Sequence, residues 1–147
     1  MGKEKEHEFF MREALKEAQK ALQKNEVPIG AVIVCNGRII SRAHNLTETL
    51  GDPTAHAEMQ AITAATNYIG GKYLNQCTLY VTIEPCAMCA GAIHWAQLGG
   101  LVFGAPDPKR GFTQFSSKIL HPKTFTIANV LSEECSSIVT SFFSRKR

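Results

Sequence analysis

No apolar run in the chain approaches the ~18 residues that a membrane-spanning helix needs. Behind Met1-Gly2-Lys3-Glu4-Lys5-Glu6 there is no apolar core of the kind a secretory signal carries, and no Ser or Thr where a myristoylation signal wants one. The expectation is a cytoplasmic chain with no membrane partner. Internal repeats, low-complexity stretches and linkers are missing as well. Residues 1–147 therefore read as one domain, long enough to bury a single core. Strong charge of either sign is also absent. The 16 Lys and Arg against 13 Asp and Glu leave +3, and a pI of about 8.6 falls short of the ~9 of a strong nucleic-acid binder. A polyanionic partner is permitted without being demanded. With 44% hydrophobic and 20% charged residues, the composition excludes disorder, collagen and coiled coil for the chain as a whole.

The small positive excess is concentrated. Residues 105–147 hold seven Lys and Arg against three Asp and Glu, and the run ends in Arg145, Lys146 and Arg147. Cysteine is present five times, an odd number with no export signal, so a disulfide framework is not expected. Cys35 and Cys77 lie in apolar runs and read as small buried hydrophobes, while Cys135 has no assigned role.

Apolar residues from Phe10 to Leu22 recur at three- and four-residue spacing, which predicts an amphipathic helix from about Glu6 to Lys24. Ile29 to Cys35 and Arg38 to Ala43 flank Asn36-Gly37, a strong hairpin signal. A polar loop to Pro53 follows, then a helix from Thr54 to about Tyr68, closed by Gly70-Gly71. Cys77 to Ile83 reads as a strand, Pro85 to Leu98 as a helix and Leu101 to Phe103 as a short strand. Residues 105–124 look irregular, and a last strand, Phe125 to Leu131, precedes a helix capped by Ser132. The succession predicts an α/β fold: one mixed five-stranded sheet, with an antiparallel hairpin and a parallel strand–helix–strand unit, covered by helices on both faces.

The chemistry is carried by His56-Ala57-Glu58 and by Pro85-Cys86-Ala87-Met88-Cys89, whose Cys86 stands 30 residues after His56. Each piece alone is weak, since a His near a Glu is common and a lone Cys-x-x-Cys is shared by redox and zinc proteins. No second Cys pair is available to complete a four-sulfur site. Together they offer one imidazole, two thiolates and an unattached carboxylate, each at a predicted helix start. Three protein ligands leave the fourth tetrahedral position of zinc to water, which is the catalytic type of site. The two thiolates cancel the zinc charge, and a helix N-terminus favours them. Glu58 is then placed to move the proton of a zinc-activated water. Residues two apart on an ideal helix diverge by about 200°, so His56 and Glu58 can share a site only near a helix end.

This pairing is the His-x-Glu and Pro-Cys-x-x-Cys signature of the zinc-dependent nucleobase deaminases. Further stretches, Asn25 to Val32, His44-Asn45, Asp52 to Glu58, Thr78 to Ala92, Val102 to Ala105 and Phe142-Phe143, resemble the bacterial tRNA-specific adenosine deaminases of the cytidine/deoxycytidylate deaminase superfamily. The resemblance implies a three-layer α/β/α cytidine-deaminase-like fold and one Zn2+ per chain on His56, Cys86 and Cys89. It implies hydrolytic deamination of adenosine to inosine at the wobble position of a tRNA anticodon loop, with Glu58 as proton shuttle. Asn45 and Ile29 would line the base pocket, with Asp107 near the flanking ribose. A homodimer is implied, with the third helix and residues 105–120 near the interface, as is a C-terminal helix lying along the RNA anticodon stem-loop. Phe142 and Phe143, on that helix, read first as core packing. His94-Trp95-Ala96-Gln97 and Phe112 to Phe115 depart from the branch's usual pattern near the expected rim or interface. Two other readings stay open: a deaminase of a free base or nucleoside, and a zinc-stabilised RNA-binding protein without catalysis.

Overall fold

The structure, a computed structural model, describes residues 2–146. Helix α1 (Lys3–Gln23) leads to β1 (Gly30–Cys35) and β2 (Arg38–His44). The turn between them has Asn36 and Gly37 at φ of 53° and 75°, the left-handed pair that a tight hairpin requires. A four-residue helix α2 (Thr47–Leu50), α3 (Ala57–Ile69), β3 (Cys77–Ile83), α4 (Ala87–Ala96), β4 (Gly100–Ala105), β5 (Phe125–Ile127) and α5 (Ser132–Arg145) complete the chain, with two 3-10 turns between β4 and β5.

The sheet order is β2-β1-β3-β4-β5. The β1 pairings to β2 and β3 are antiparallel, and those of β4 to β3 and β5 are parallel, so the expected mixed five-stranded sheet is formed. Strand alternation divides the interior. Ala31, Ile33, Leu79, Val81, Leu101 and Phe103 face α3 and α4, while Val32, Val34, Tyr80 and Val102 face α1 and α5. Both faces are apolar along the central strands, as a sheet buried on both sides requires. The layers are close where α1 crosses β1. A Cβ at Gly30 would run into the backbone of Ala14 and Ala18.

Several boundaries differ from the sequence expectation. Thr54 does not begin a helix, because its N–H and hydroxyl are both held by Asp52 Oδ1 at 2.8 Å in a turn, and α3 starts at Ala57. Pro85 does not open α4; Cys86, extended at ψ 173°, is the residue before its first turn. The last strand stops at Ile127, since Asn129 and Leu131 take positive φ. Ser132 is the first residue of α5 rather than its cap, a place taken by Leu131 without a side-chain hydrogen bond. The expected loop after His44 contains α2, which Glu26 caps from a distance: its carboxylate accepts the Glu48 and Thr49 N–H groups at 3.0 and 2.6 Å. Arg147 lies outside the described residues.

Candidate active site

The parallel strands β3 and β4 run toward one end of the sheet, and at that end β1 begins and β2 finishes. The connections there bring Ile29, Asn45, His56, Glu58, Cys86 and Asp107 around one cavity of about 620 Å³. This is the place where open α/β sheets collect ligands, beyond the carboxyl ends of their parallel strands. The volume is within the ~300–1,000 Å³ of ligand sites.

His56 and Cys86 are the residues immediately before α3 and α4, both in extended conformation. Glu58 and Cys89 lie in the first turns of those helices. This resolves the 200° divergence: His56 projects from outside the helix, so it and Glu58 can approach the same point. His56 Nδ1 is 3.7 Å from Cys86 Sγ and 3.5 Å from Cys89 Sγ, and all three donor atoms lie within 4.8 Å of one another. A sulfur about 2.3 Å and a nitrogen about 2.0 Å from a tetrahedral zinc stand about 3.5 Å apart, so both nitrogen–sulfur spacings fit that ion. Among the described residues no fourth His, Cys, Asp or Glu joins the group. Two helix N-termini point their partial positive charge at the same atoms.

The electrostatics agree. The hydrogen bond from Cys89 holds the Cys86 thiol down to about 4, with His56 adding to the effect. The same bond, with burial, pushes Cys89 up. This lowering favours the Cys86 thiolate, and a divalent cation would supply the charge a second thiolate needs. His56 is raised mainly by its hydrogen bond to Cys86, against burial. Glu58 is 4% exposed, and burial raises its carboxyl to about 7. A carboxyl placed there is suited to taking up and releasing a proton near neutrality.

Asn45 is buried and its N–H donates to the Ile29 carbonyl at 3.1 Å, which places the two expected base-pocket residues side by side. Asp107 is half-buried, and its Oδ1 accepts the N–H groups of Lys109 and Arg110 at 3.1 and 3.0 Å, holding a turn in the cavity wall. The two phenylalanines of α5 separate. Phe142 is buried, whereas Phe143 is 49% exposed and lines the cavity with Ser136, Val139 and Thr140, so core packing holds for the first and not the second. Sequence reasoning passed over Glu84 and Thr47, which also line the cavity. A carboxylate closing the apolar strand Cys77–Ile83 was the signal available for Glu84.

Fold and site together define a zinc-binding deaminase: the chain belongs to the cytidine and deoxycytidylate deaminase family, whose zinc-binding region matches residues 4–105. Within that family it is similar to the tRNA-specific adenosine deaminase of Bacillus subtilis, at 48% identity over 145 residues, covering 95% of this chain and 90% of that one. A solved structure from studies of A-to-I editing by tRNA:A34 deaminases at the wobble position of transfer RNA superimposes with a TM-score of 0.83, at 42% identity, covering 88% of this chain and 98% of its own. The structure of guanine deaminase from Bacillus subtilis matches less completely, with a TM-score of 0.65 at 41% identity, over 68% of this chain and 64% of that one.

Proposed function

We propose that this chain deaminates adenosine to inosine at the wobble position of a tRNA anticodon loop. The observation that carries the reading is the grouping of His56, Cys86 and Cys89 at a cavity lined by two of them together with Glu58, Asn45, Ile29 and Asp107. Similarity across nearly the whole chain to tRNA-specific adenosine deaminase supports the choice of substrate. The first three residues hold the metal. Zinc bound there would lower the pKa of a water toward neutrality and so make a nucleophile available at pH 7. Glu58 would take one proton from the attacking water and deliver it to the purine ring nitrogen, then carry the remaining proton of the newly attached hydroxyl to the amine, which leaves as ammonia as the carbonyl forms. The Asn45 side-chain amide hydrogen-bonds the base edge, and Ile29 packs on its apolar face. A base in a single-stranded loop costs less to unstack than one in a duplex, which suits a recessed site.

The cavity is larger than one base requires, and its mouth is formed by Lys109, Arg110 and Phe143, a basic and aromatic rim suited to flanking nucleotides. Deamination of free guanine is the second reading, favoured by the partial match to guanine deaminase. Ammonia release from an anticodon-loop hairpin, set beside guanine, cytidine and free adenosine, separates the two. The hairpin is expected to be the preferred substrate, and preference for guanine would reverse the order of the readings.

Partner and location follow from the same reading. The chain pairs with a second copy through the outer face of α4, where Met88 and Trp95 are exposed two helical turns apart. It works in the cytoplasm. No helix among the described residues is long and apolar enough to cross a membrane.

A further inference from the structure

Glu84 takes no part in the chemistry above, yet its carboxylate is buried at the end of β3, two residues before Cys86. All its hydrogen-bond partners lie in one other segment. Oε1 accepts the Asp107 N–H at 3.1 Å, and Oε2 accepts both the N–H and the hydroxyl of Thr113, at 3.0 and 2.7 Å. Among the described residues no cation forms an ion pair with it. A buried carboxylate compensated only by fixed donors is a structural acceptor, since each donor would be left unpaired without it. The chain between the anchor points carries Pro108, Lys109 and Arg110 of the cavity mouth. Gly111 passes so close that a Cβ there would run into the Glu84 carboxylate. Next to it, the Phe112 N–H donates to the Pro85 carbonyl at 2.9 Å, and Gly111 bridges to Cys86.

We infer that Glu84 is a positioning residue: its carboxylate clasps residues 107–113 to the strand that precedes the metal ligands, and so sets the distance between the reacting centre and the basic wall that holds the flanking part of a polynucleotide. Both oxygens are used, each on a different anchor of the loop. Glutamine at this position cannot reproduce the clasp, because one oxygen becomes an NH2 group facing a donor. The chemical groups that bind and react stay in place when the clasp opens; what changes is where the wall stands. The substrate part of this inference rests on the RNA reading of the cavity, whereas the clasp itself is a property of the free protein.

The test uses the zinc-loaded full chain, with Glu84→Gln and Gly111→Ala. The latter removes no hydrogen-bonding group and only displaces the carboxylate. Amide hydrogen exchange at Asp107 and Thr113 is expected to accelerate in both, with one zinc per chain retained. The KM for an anticodon-loop hairpin is expected to rise roughly tenfold or more, the scale of a lost hydrogen bond to a charged group, with kcat within about threefold of the parent. If Glu84→Gln does not fold, Thr113→Val removes one donor only, and faster exchange at the Thr113 amide with a severalfold rise in KM is expected. Unchanged exchange and KM overturn the inference, as does a fall in kcat at constant KM, or loss of zinc with the loop still protected. If the parent protein deaminates no RNA hairpin, the functional reading fails, and hydrogen exchange still decides the clasp.

Discussion

At the scale of single residues the site separates tasks among neighbours. Glu58 follows His56 by two positions, but only one of them belongs to the metal-donor group. The other is a carboxyl raised to about 7 by burial, free to exchange a proton. Glu58→Gln keeps the shape and removes the proton transfer. Deamination is expected to fall by about 10²–10⁴-fold with zinc content unchanged, the usual share of a general acid–base group. Near-normal turnover of the Gln variant in a steady-state assay would take Glu58 out of this role. Asn45 is a buried amide whose Nδ2 meets only Thr47 Oγ1, at a long 3.5 Å, so most of its hydrogen-bonding capacity is left for a base. Asn45→Ala is expected to cost about 1–3 kcal/mol of transition-state stabilisation, roughly 5- to 150-fold in kcat/KM. Unaltered kinetics would restrict Asn45 to organising its own loop.

At the scale of elements, charge fastens α1 to the edge strand β2. Arg42 Nη2 meets Glu13 Oε1 at 2.6 Å, and the buried Glu17 meets Arg42 Nη1 at 3.7 Å and His44 Nδ1 at 3.4 Å. Hydrogen bonds from Lys16 and Arg42 hold the Glu13 carboxyl below its ordinary 4.5. Glu17 is lowered too: burial opposes the shift, and the bonds to Lys20 and His44 outweigh it. A carboxyl lowered on folding stabilises the native state above the unfolded pKa and loses that contribution as pH falls through the folded value. Urea midpoints measured from pH 7 downward should therefore show Glu17→Gln less stable at neutral pH, with the gap to the parent closing below about pH 4.5. Parallel curves would mean that the tether does not depend on charge. Much of this architecture is legible in the sequence because it is written in short-range pattern. The unbroken apolar run Ala31 to Val34 marks a strand buried on both faces, Asn36-Gly37 marks its turn, and the His56–Glu58 and Cys86–Cys89 spacings mark the metal centre. What stayed hidden depends on contacts between distant segments. Helix α2 exists because Glu26 caps it across more than 20 residues, and the cavity wall is shaped by Glu84 from 23 residues away. The partners of neither carboxylate can be read locally, since they are backbone N–H groups, which every residue offers, and Thr hydroxyls in segments 20 or more residues away. Phe142 and Phe143 show the same point in reverse: adjacent aromatics look alike until the tilt of α5 buries one and presents the other.

At the scale of the whole molecule, the proposed function assigns the apolar outer face of α4 to a second copy of the chain and the basic end of α5 to RNA. Trp95 is 79% and Phe115 67% exposed, a costly display unless a second copy covers them. A dimer mass in light scattering at micromolar concentration is expected, and a monomer mass there would refute the pairing. Arg145 and Lys146, at the end of α5, are both exposed. Phosphate contacts of this kind add affinity without sequence information and weaken with salt. Neutralising Arg145, Lys146 and Arg147 should raise the KM for tRNA and flatten its salt dependence while leaving zinc content intact. An unchanged salt slope would make the tail a solvated end. The central claim, that water replaces the amine of one adenosine in an anticodon loop at this metal site, is tested most directly by mass spectrometry. A hairpin with adenosine at the wobble position is incubated with the zinc-loaded protein in ordinary and in ¹⁸O-labelled water. The account predicts a gain of about 1 Da and about 3 Da respectively, confined to that nucleotide and abolished in Glu58→Gln, because the new oxygen comes from the attacking water. An unchanged hairpin, with guanine deaminated under the same conditions, would contradict it.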